Sequence, residues 1–482
     1  MVARLIVAGV ASGVGKTTMT LAIARSLAAR GLRVALFKCG PDYLDPTYHA
    51  RATGRPSHNL DGWMMGRQAV LATFERRTQD VDIAIIEGVM GLFDGASATT
   101  EHGSTAEIAK WLQAPVLAVV DASGMARTIA AIAHGLSTYD PDLRVAGILC
   151  NRVGSKGHLD LLRSASRRVP VVGALPREAE LAFPERHLGL RTADEETLPS
   201  ATLDRWGELA REWIALDLVT DLARASGALP EAHDPPREEG CGPCRIGVAW
   251  DEAFHFYYED NLRRLEQLGA TLVRFSPARD PRLPDVDGLY LGGGYPEACA
   301  DALAANESMR ASVLAFARRG GPVYAECGGL MYLASAIRTL DGRSHAMVGA
   351  LEGEAVMKDK LVALGYVEVE TQEPTILGPA GLRFRGHQFR YSDLTPAAGP
   401  NAPYSVRRRR GGDVVRDGHR VHNVLASYVH AHWASNPLAA RGFVRSCAKF
   451  AAHKGLAGGG AAFSLGTEDD GRSAATPPDV RP

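Results

Sequence analysis

Two α/β domains joined by a linker are predicted for this chain, the first built on a doubly wound parallel sheet. Three observations carry the prediction. Short, continuous apolar runs alternate with helical patterns from the start to about residue 224. A proline- and charge-rich stretch, A-L-P-E-A-H-D-P-P-R-E-E-G, then breaks the alternation. A second alternation begins at Arg245.

The first strand is read at Leu5–Ala8, and Val34–Phe37, Ile83–Ile86, Val116–Val120 and Val145–Leu149 repeat the pattern. Unbroken apolar runs suit parallel strands, whose two faces are both covered by helices. Between the first two, Thr18–Arg30 sets Leu21, Ile23, Ala24 and Leu27 at helical spacing. The second series reads as strands at Arg245–Trp250, Leu272–Phe275, Gly288–Leu291 and Val323–Ala325. The boundaries that follow are a first domain at 1–224, a linker at 225–244, a second domain at 245–440 and an extension at 441–482. The extension is glycine-, serine- and proline-rich and is expected to be disordered after about residue 455.

Composition excludes several classes. Hydrophobic residues make up 46% and charged residues 23% of the 482, and the net charge is -1. No broad basic face for nucleic acid follows from such totals. The run Arg407–Arg410 reads as a solvated loop. No apolar run approaches the ~18 residues that span a membrane. Seven cysteines at irregular spacing do not form a disulfide framework, and a reducing cytoplasm fits them. Cys241 and Cys244 make a C-G-P-C pair with no second pair to complete a zinc site, so they read as linker cysteines.

Directly after the first strand comes G-V-A-S-G-V-G-K-T-T, Gly9 to Thr18. Gly13, Val14 and Gly15 supply flexible backbone N–H groups at a helix N-terminus, where the dipole favours phosphate. Lys16 neutralises phosphate oxygens, and the hydroxyls of Thr17 and Thr18 complete the loop. The spacing is one residue longer than the strict G-x4-G-K-[ST] pattern, because Val10 stands where that pattern has glycine. ATP is the expected ligand. F-K-C-G-P-D-Y-L-D-P-T-Y-H follows the second strand, and I-I-E-G-V-M-G-L-F-D-G ends the Ile83–Ile86 run. Strand C-termini line the ligand crevice of open α/β sheets. Lys38 is therefore assigned to the nucleotide, and Asp42 and Glu87 join Thr17 as ligands of Mg²⁺. Asp45 and Asp94 are assigned to the substrate.

The second domain holds P-V-Y-A-E-C-G-G-L-M-Y-L, Pro322 to Leu333. Cys327 falls between a strand and a helix, a sharp turn that exposes a nucleophile. The helix N-terminus is expected to lower its thiol pKa. A thiolate needs a base, and S-Y-V-H-A-H-W offers His430, with His432 as runner-up, both on one side of a strand. The glycines of L-G-G-G-Y-P-E, Leu291 to Glu297, offer backbone N–H groups for an oxyanion.

These motifs resemble a known family. The C-terminal half is similar to the class I glutamine amidotransferase domain of cobyric acid and cobyrinic acid diamide synthases. The N-terminal half resembles their dethiobiotin-synthetase-like ATPase domain. Further motifs that carry the resemblance are N-L-D-G-W-M, D-E-A-F-H-F-Y-Y-E-D-N-L and Y-L-G-G-G-Y-P-E. It implies adenine recognition near Asn151. It implies ATP, L-glutamine and cobyrinate or hydrogenobyrinate as substrates, two acetate side chains as the amidated groups, and room for a homo-oligomer. Two departures stand out. His432 occupies the place of the usual triad glutamate, which implies a Cys–His dyad. The family's G-H-E-F-H-Y-S reads G-H-Q-F-R-Y-S here, with Gln388 and Arg390 substituted. The same motifs leave open a sirohydrochlorin a,c-diamide synthase or a cobyric acid synthase. A partitioning-type ATPase with a non-catalytic second domain is a rival of another class. Ala11, where that group often has lysine, and the Cys327 elbow both argue against it.

Overall fold

β1 (Ala3–Gly9) lies at the centre of a seven-stranded sheet in the computed structural model, which describes residues 2–178, 181, 197–232, 239–397, 399, 402–409 and 412–459. β2 (Val34–Cys39), β3 (His58–Leu60) and β4 (Ile83–Glu87) lie to one side. β5 (Val116–Asp121), β6 (Val145–Val153) and β7 (Val171–Pro176) lie to the other. The order is β3-β2-β4-β1-β5-β6-β7 and every pairing is parallel. The strand order reverses across β1, so the crevice opens where the phosphate loop begins. β3 and β7 were not read from sequence. β3 has only three residues, two of them polar, and its partner β2 rather than its own pattern makes it a strand.

The second domain begins with β8 (Cys244–Ala249), β9 (Ala270–Phe275), β10 (Gly288–Leu291) and β11 (Val323–Glu326). They form a sheet with strands Val424–Ser427 and His419–Val421. Two further sheets, one antiparallel and one mixed, fill the chain between. One has five strands, among them Ala363–Thr371, Arg383–Arg390, Tyr404–Arg408 and His430–His432. The other has four and includes Ser392–Thr395.

Three sequence expectations are corrected. The boundary at residue 440 falls inside a helix, Pro437–Gly459, whose Ala439, Ala440, Phe443, Val444 and Cys447 are fully buried in the second core. That helix passes residue 455, while residues 460–482 lie outside the described residues. Cys244 is not a linker residue: it opens β8 and packs against the same helix. Arg407 and Arg408 belong to a strand rather than a loop, and Arg410 lies outside the described residues.

The two domains share an aromatic interface. Tyr43 stacks on Phe256 with ring centroids 5.0 Å apart, and both belong to one apolar cluster with Trp63 and Tyr258. The Tyr366 hydroxyl donates to Asp61 at 2.8 Å, and Arg385 donates to the Trp63 carbonyl at 2.9 Å. Arg4, charged yet fully buried in β1, donates to the carbonyls of Leu112 and Gly227 and so anchors the start of the linker. Among the described residues no helix is long and apolar enough to cross a membrane.

Candidate active site

The phosphate loop leaves β1 and enters the helix Lys16–Ala29. It borders a cavity of about 870 Å³ lined by Gly13, Gly15, Lys16, Thr17 and Thr18 together with Lys38, Asp42, Asp45, Glu87 and Asn151. Gly15 sits at φ 94°, and a Cβ there would fall 2.1 Å from Asn151 Nδ2. Both facts exclude a side chain. Asn151 donates to the Val14 carbonyl at 2.9 Å, so its amide braces the loop from behind. Val14 itself is buried in the core and takes part through its backbone. Lys16 donates to the carbonyls of Ala11 and Met90, at 3.0 and 2.7 Å.

Beside the loop lies a buried cluster of acids and bases. Thr17 Oγ1 donates to Glu87 Oε1 at 2.7 Å. Lys38 Nζ lies 2.8 Å from the same oxygen and 2.5 Å from Asp45 Oδ2, and His49 Nε2 lies 2.8 Å from Glu87 Oε2. Burial alone would push the Glu87 carboxyl up, but Lys38 and His49 outweigh it and hold Glu87 ionised, below the usual range. The same pairing with Asp45 and Glu87 overcomes burial at Lys38 and keeps it protonated. Asp42 accepts from the backbone N–H groups of Leu44 and Asp45 and so shapes its own loop. Asp94 is not among the residues lining the cavity. It accepts from Gly91 N–H at 2.9 Å and fixes the turn that lies over the loop.

Cys327 joins β11 to the helix Gly328–Leu333 at φ 48° and ψ -101°, the strained geometry of a nucleophile elbow. Its N–H donates to Ser427 O at 2.8 Å. The expected depression of the thiol pKa is corrected. Burial pushes it up to about 12, and Arg390 and the Gly328 N–H only partly oppose this.

His430 and His432 stand on the strand His430–His432, both buried. Their surroundings differ. His430 packs against Gly293, where a Cβ would fall 2.4 Å from its Cε1. Gly293 and Gly294 in turn abut Gly328, the residue after the nucleophile. The His430 Nδ1 and the His432 Nε2 are both buried with no hydrogen-bond partner among the described residues. Burial pushes the His430 imidazole pKa down to about 3. His432 instead accepts from Ala434 N–H at 3.3 Å, capping a short turn, and its ring lies 4.6 Å from that of Tyr258.

Several residues at the site were missed in the sequence. Glu326, next to the nucleophile, accepts from Tyr290 and Tyr324 hydroxyls at 3.0 and 2.9 Å and from Ala431 N–H at 2.9 Å. Burial pushes its carboxyl up to about 7. His387 stacks on His430 at 5.0 Å, and Tyr43, from the first domain, lies 5.3 Å from His430 and 5.6 Å from His387. Their motifs, G-H-Q-F-R-Y-S and G-P-D-Y-L-D, were visible, but not that they meet. Of the two substituted positions, Gln388 faces a cleft between the domains, while Arg390 pairs with Asp393 and lies over the Tyr428 ring.

Comparison with known proteins agrees with this layout. Residues 5–190 match the CobQ/CobB/MinD/ParA nucleotide binding domain, and residues 245–438 match the CobB/CobQ-like glutamine amidotransferase domain. A cobyrinate a,c-diamide synthase of Leptospira interrogans serogroup Icterohaemorrhagiae serovar copenhageni is 51% identical over 92% of this chain and 98% of its own. Proteins of the same name from Syntrophotalea carbinolica and Dehalococcoides mccartyi are 49% and 42% identical, each over 92% of this chain and 98% and 97% of their own. The chain belongs to the cobyrinate a,c-diamide synthase family and is a glutamine-dependent amidating ligase.

Proposed function

We propose that the chain amidates the a and c acetate groups of cobyrinate or hydrogenobyrinate, using ATP bound at Gly13–Thr18 and ammonia released at Cys327. A carboxylate is a poor electrophile because its leaving group would be oxide. Transfer of the γ-phosphoryl group to a carboxylate oxygen gives an acyl phosphate and ADP, and phosphate then leaves when ammonia attacks the carbonyl carbon. Lys16 and the backbone N–H groups of Gly13 and Gly15 hold the phosphates. Thr17 Oγ1, the ionised Glu87 and Asp42 are hard oxygen donors on the cavity wall, and they fit Mg²⁺ held chiefly by phosphates and water. Such an ion neutralises phosphate charge.

At the elbow, the Cys327 sulfur attacks the glutamine side-chain amide, a sulfur–carbon bond forms, and ammonia leaves. Water then releases glutamate from the thioester. At rest the thiol and the His430 imidazole are both neutral, because burial disfavours the charged form of each. His430 accepts the thiol proton as the bond forms and returns it to the leaving nitrogen. Its packing on Gly293, beside the backbone that adjoins Cys327, favours His430 over His432 as the base. The observation that carries this reading is the mutual ring contact of Tyr43, His387 and His430. It puts the loop of Asp42 and Asp45 one side chain away from the glutamine site.

Mass spectrometry of products from cobyrinate, hydrogenobyrinate and nickel-sirohydrochlorin, each with ATP and glutamine, tests the substrate. Two added amides on a corrin and none on the sirohydrochlorin is the expected result. Two amides on the sirohydrochlorin alone, or four on the corrin, would reject it.

A further inference from the structure

A second cavity, about 380 Å³, lies between the domains. It shares Asp42, Val89 and Met90 with the nucleotide cavity. On its far wall stands His387, the ring that stacks on His430. This cavity therefore touches both halves of the machinery. Met90 joins them most directly: its carbonyl accepts from Lys16 and its side chain faces the cleft.

The lining has a distinctive chemistry. Met90 and Leu364 are large apolar side chains left 38% and 69% exposed, with Val362 and Ala363 beside them. Clustered exposed apolar surface marks a binding face. At its rim stand Arg408 and Arg409, both exposed, with no ion pair among the described residues. Arg409 lies 5.5 Å from the Trp63 ring and donates its N–H to Tyr366 O, so the rim is tied to the domain interface. Gln388, the substituted family position, is held by Asp417 at 2.8 Å and faces the same space. An apolar wall bordered by guanidinium groups suits a flat, largely apolar ring that carries carboxylate arms.

We propose that this cleft is the acceptor site, an inference that rests on the amidation reading above. The edge of the macrocycle lies against Met90 and Leu364. Arg408 and Arg409 pair with carboxylate arms that are not being amidated. The arm under reaction passes Met90 into the nucleotide cavity, within reach of the γ-phosphoryl group. Gln388 lies where it can hydrogen-bond an arm, which makes it a residue that sets specificity for the ring's periphery.

Arg408→Glu and Leu364→Asp test the assignment, because both side chains are exposed and neither belongs to a catalytic cluster. Steady-state kinetics with cobyrinate, ATP and glutamine, and equilibrium dialysis read by the corrin's visible absorbance, supply the readouts. Each variant should raise the KM and Kd for cobyrinate at least about tenfold, while KM for ATP and for glutamine stays within about twofold. The wild-type Kd should also weaken with salt, and that of Arg408→Glu should weaken less. Unchanged cobyrinate binding in both variants would overturn the acceptor site. Lys16→Ala in the same assay separates the two levels. Loss of amidation there upholds the nucleotide reading whatever Arg408→Glu does, and full amidation there would reject that reading itself.

Discussion

His430 and His432 are two residues apart on one strand, yet their atoms are used differently. His432 caps a turn and packs on Tyr258, which is structural work. Each ring keeps one buried nitrogen without a partner, Nδ1 of His430 and Nε2 of His432, but only His430 packs on Gly293, beside the backbone that borders Cys327. His430→Asn should therefore lower glutamine-dependent turnover by about 10²–10⁴-fold, the usual weight of a positioned general base. Activity with added ammonium should survive. His432→Asn should lower the melting temperature while leaving the glutamine-to-ammonium activity ratio near wild type. Parallel assays with the two nitrogen donors, with a thermal melt of each variant, check this. A selective loss of glutamine use in His432→Asn would exchange the two roles. The preference for His430 was legible from the motif, but the packing behind it was not, because it depends on Gly293 and Tyr258 from elsewhere in the fold.

Elements differ in how openly the sequence declares them. β1, β2, β4, β5 and β6 are unbroken apolar runs, and the chemistry at their C-terminal ends follows locally from each run. The two smaller sheets from Ala336 to His432 are not declared in this way. Their strands are half polar, and pairing with other strands stabilises them. The alternation in Tyr366-Val367-Glu368-Val369-Glu370 was the readable signal for one of them. The segment Ala426–His432 reads as one strand, but it leaves the parallel sheet at Ser427 and joins the five-stranded sheet at His430. Glu326 spans that break by accepting from Ala431 N–H. Its folded pKa, about 7, lies above the unfolded value, so its protonated form stabilises the fold below about pH 4.5 and that contribution fades as pH rises through 7. Glu326→Gln keeps the shape without the buried charge. It should gain roughly 1–3 kcal/mol relative to wild type at pH 8, and little at pH 4.5. Urea unfolding at both pH values checks the sign, and equal differences at the two would refute the ionisation argument.

At the scale of the whole molecule, the interface makes two folds into one enzyme. Phe256 and Tyr258, from the second domain, are part of the first domain's apolar cluster, and Asp61, Trp63, Tyr366 and Arg385 bind the two surfaces together. Inter-domain faces of this aromatic kind resist relative motion. Tyr43 lies in that interface, between the ring of His430 and the acidic loop at Asp42. The sequence announced both machines but not their contact. Tyr43, His387 and Phe256 each sit in a readable motif, and only the fold brings them together. The shared cleft follows from the same contact, because its walls come from both domains.

The central claim is that Cys327 supplies nitrogen to a carboxylate activated at the phosphate loop. Product formation by Cys327→Ala, measured with glutamine and then with ammonium as the nitrogen source, tests it most directly. The account predicts no diamide with glutamine and near wild-type diamide with ammonium. Loss of both activities, or retention of glutamine use, would contradict it.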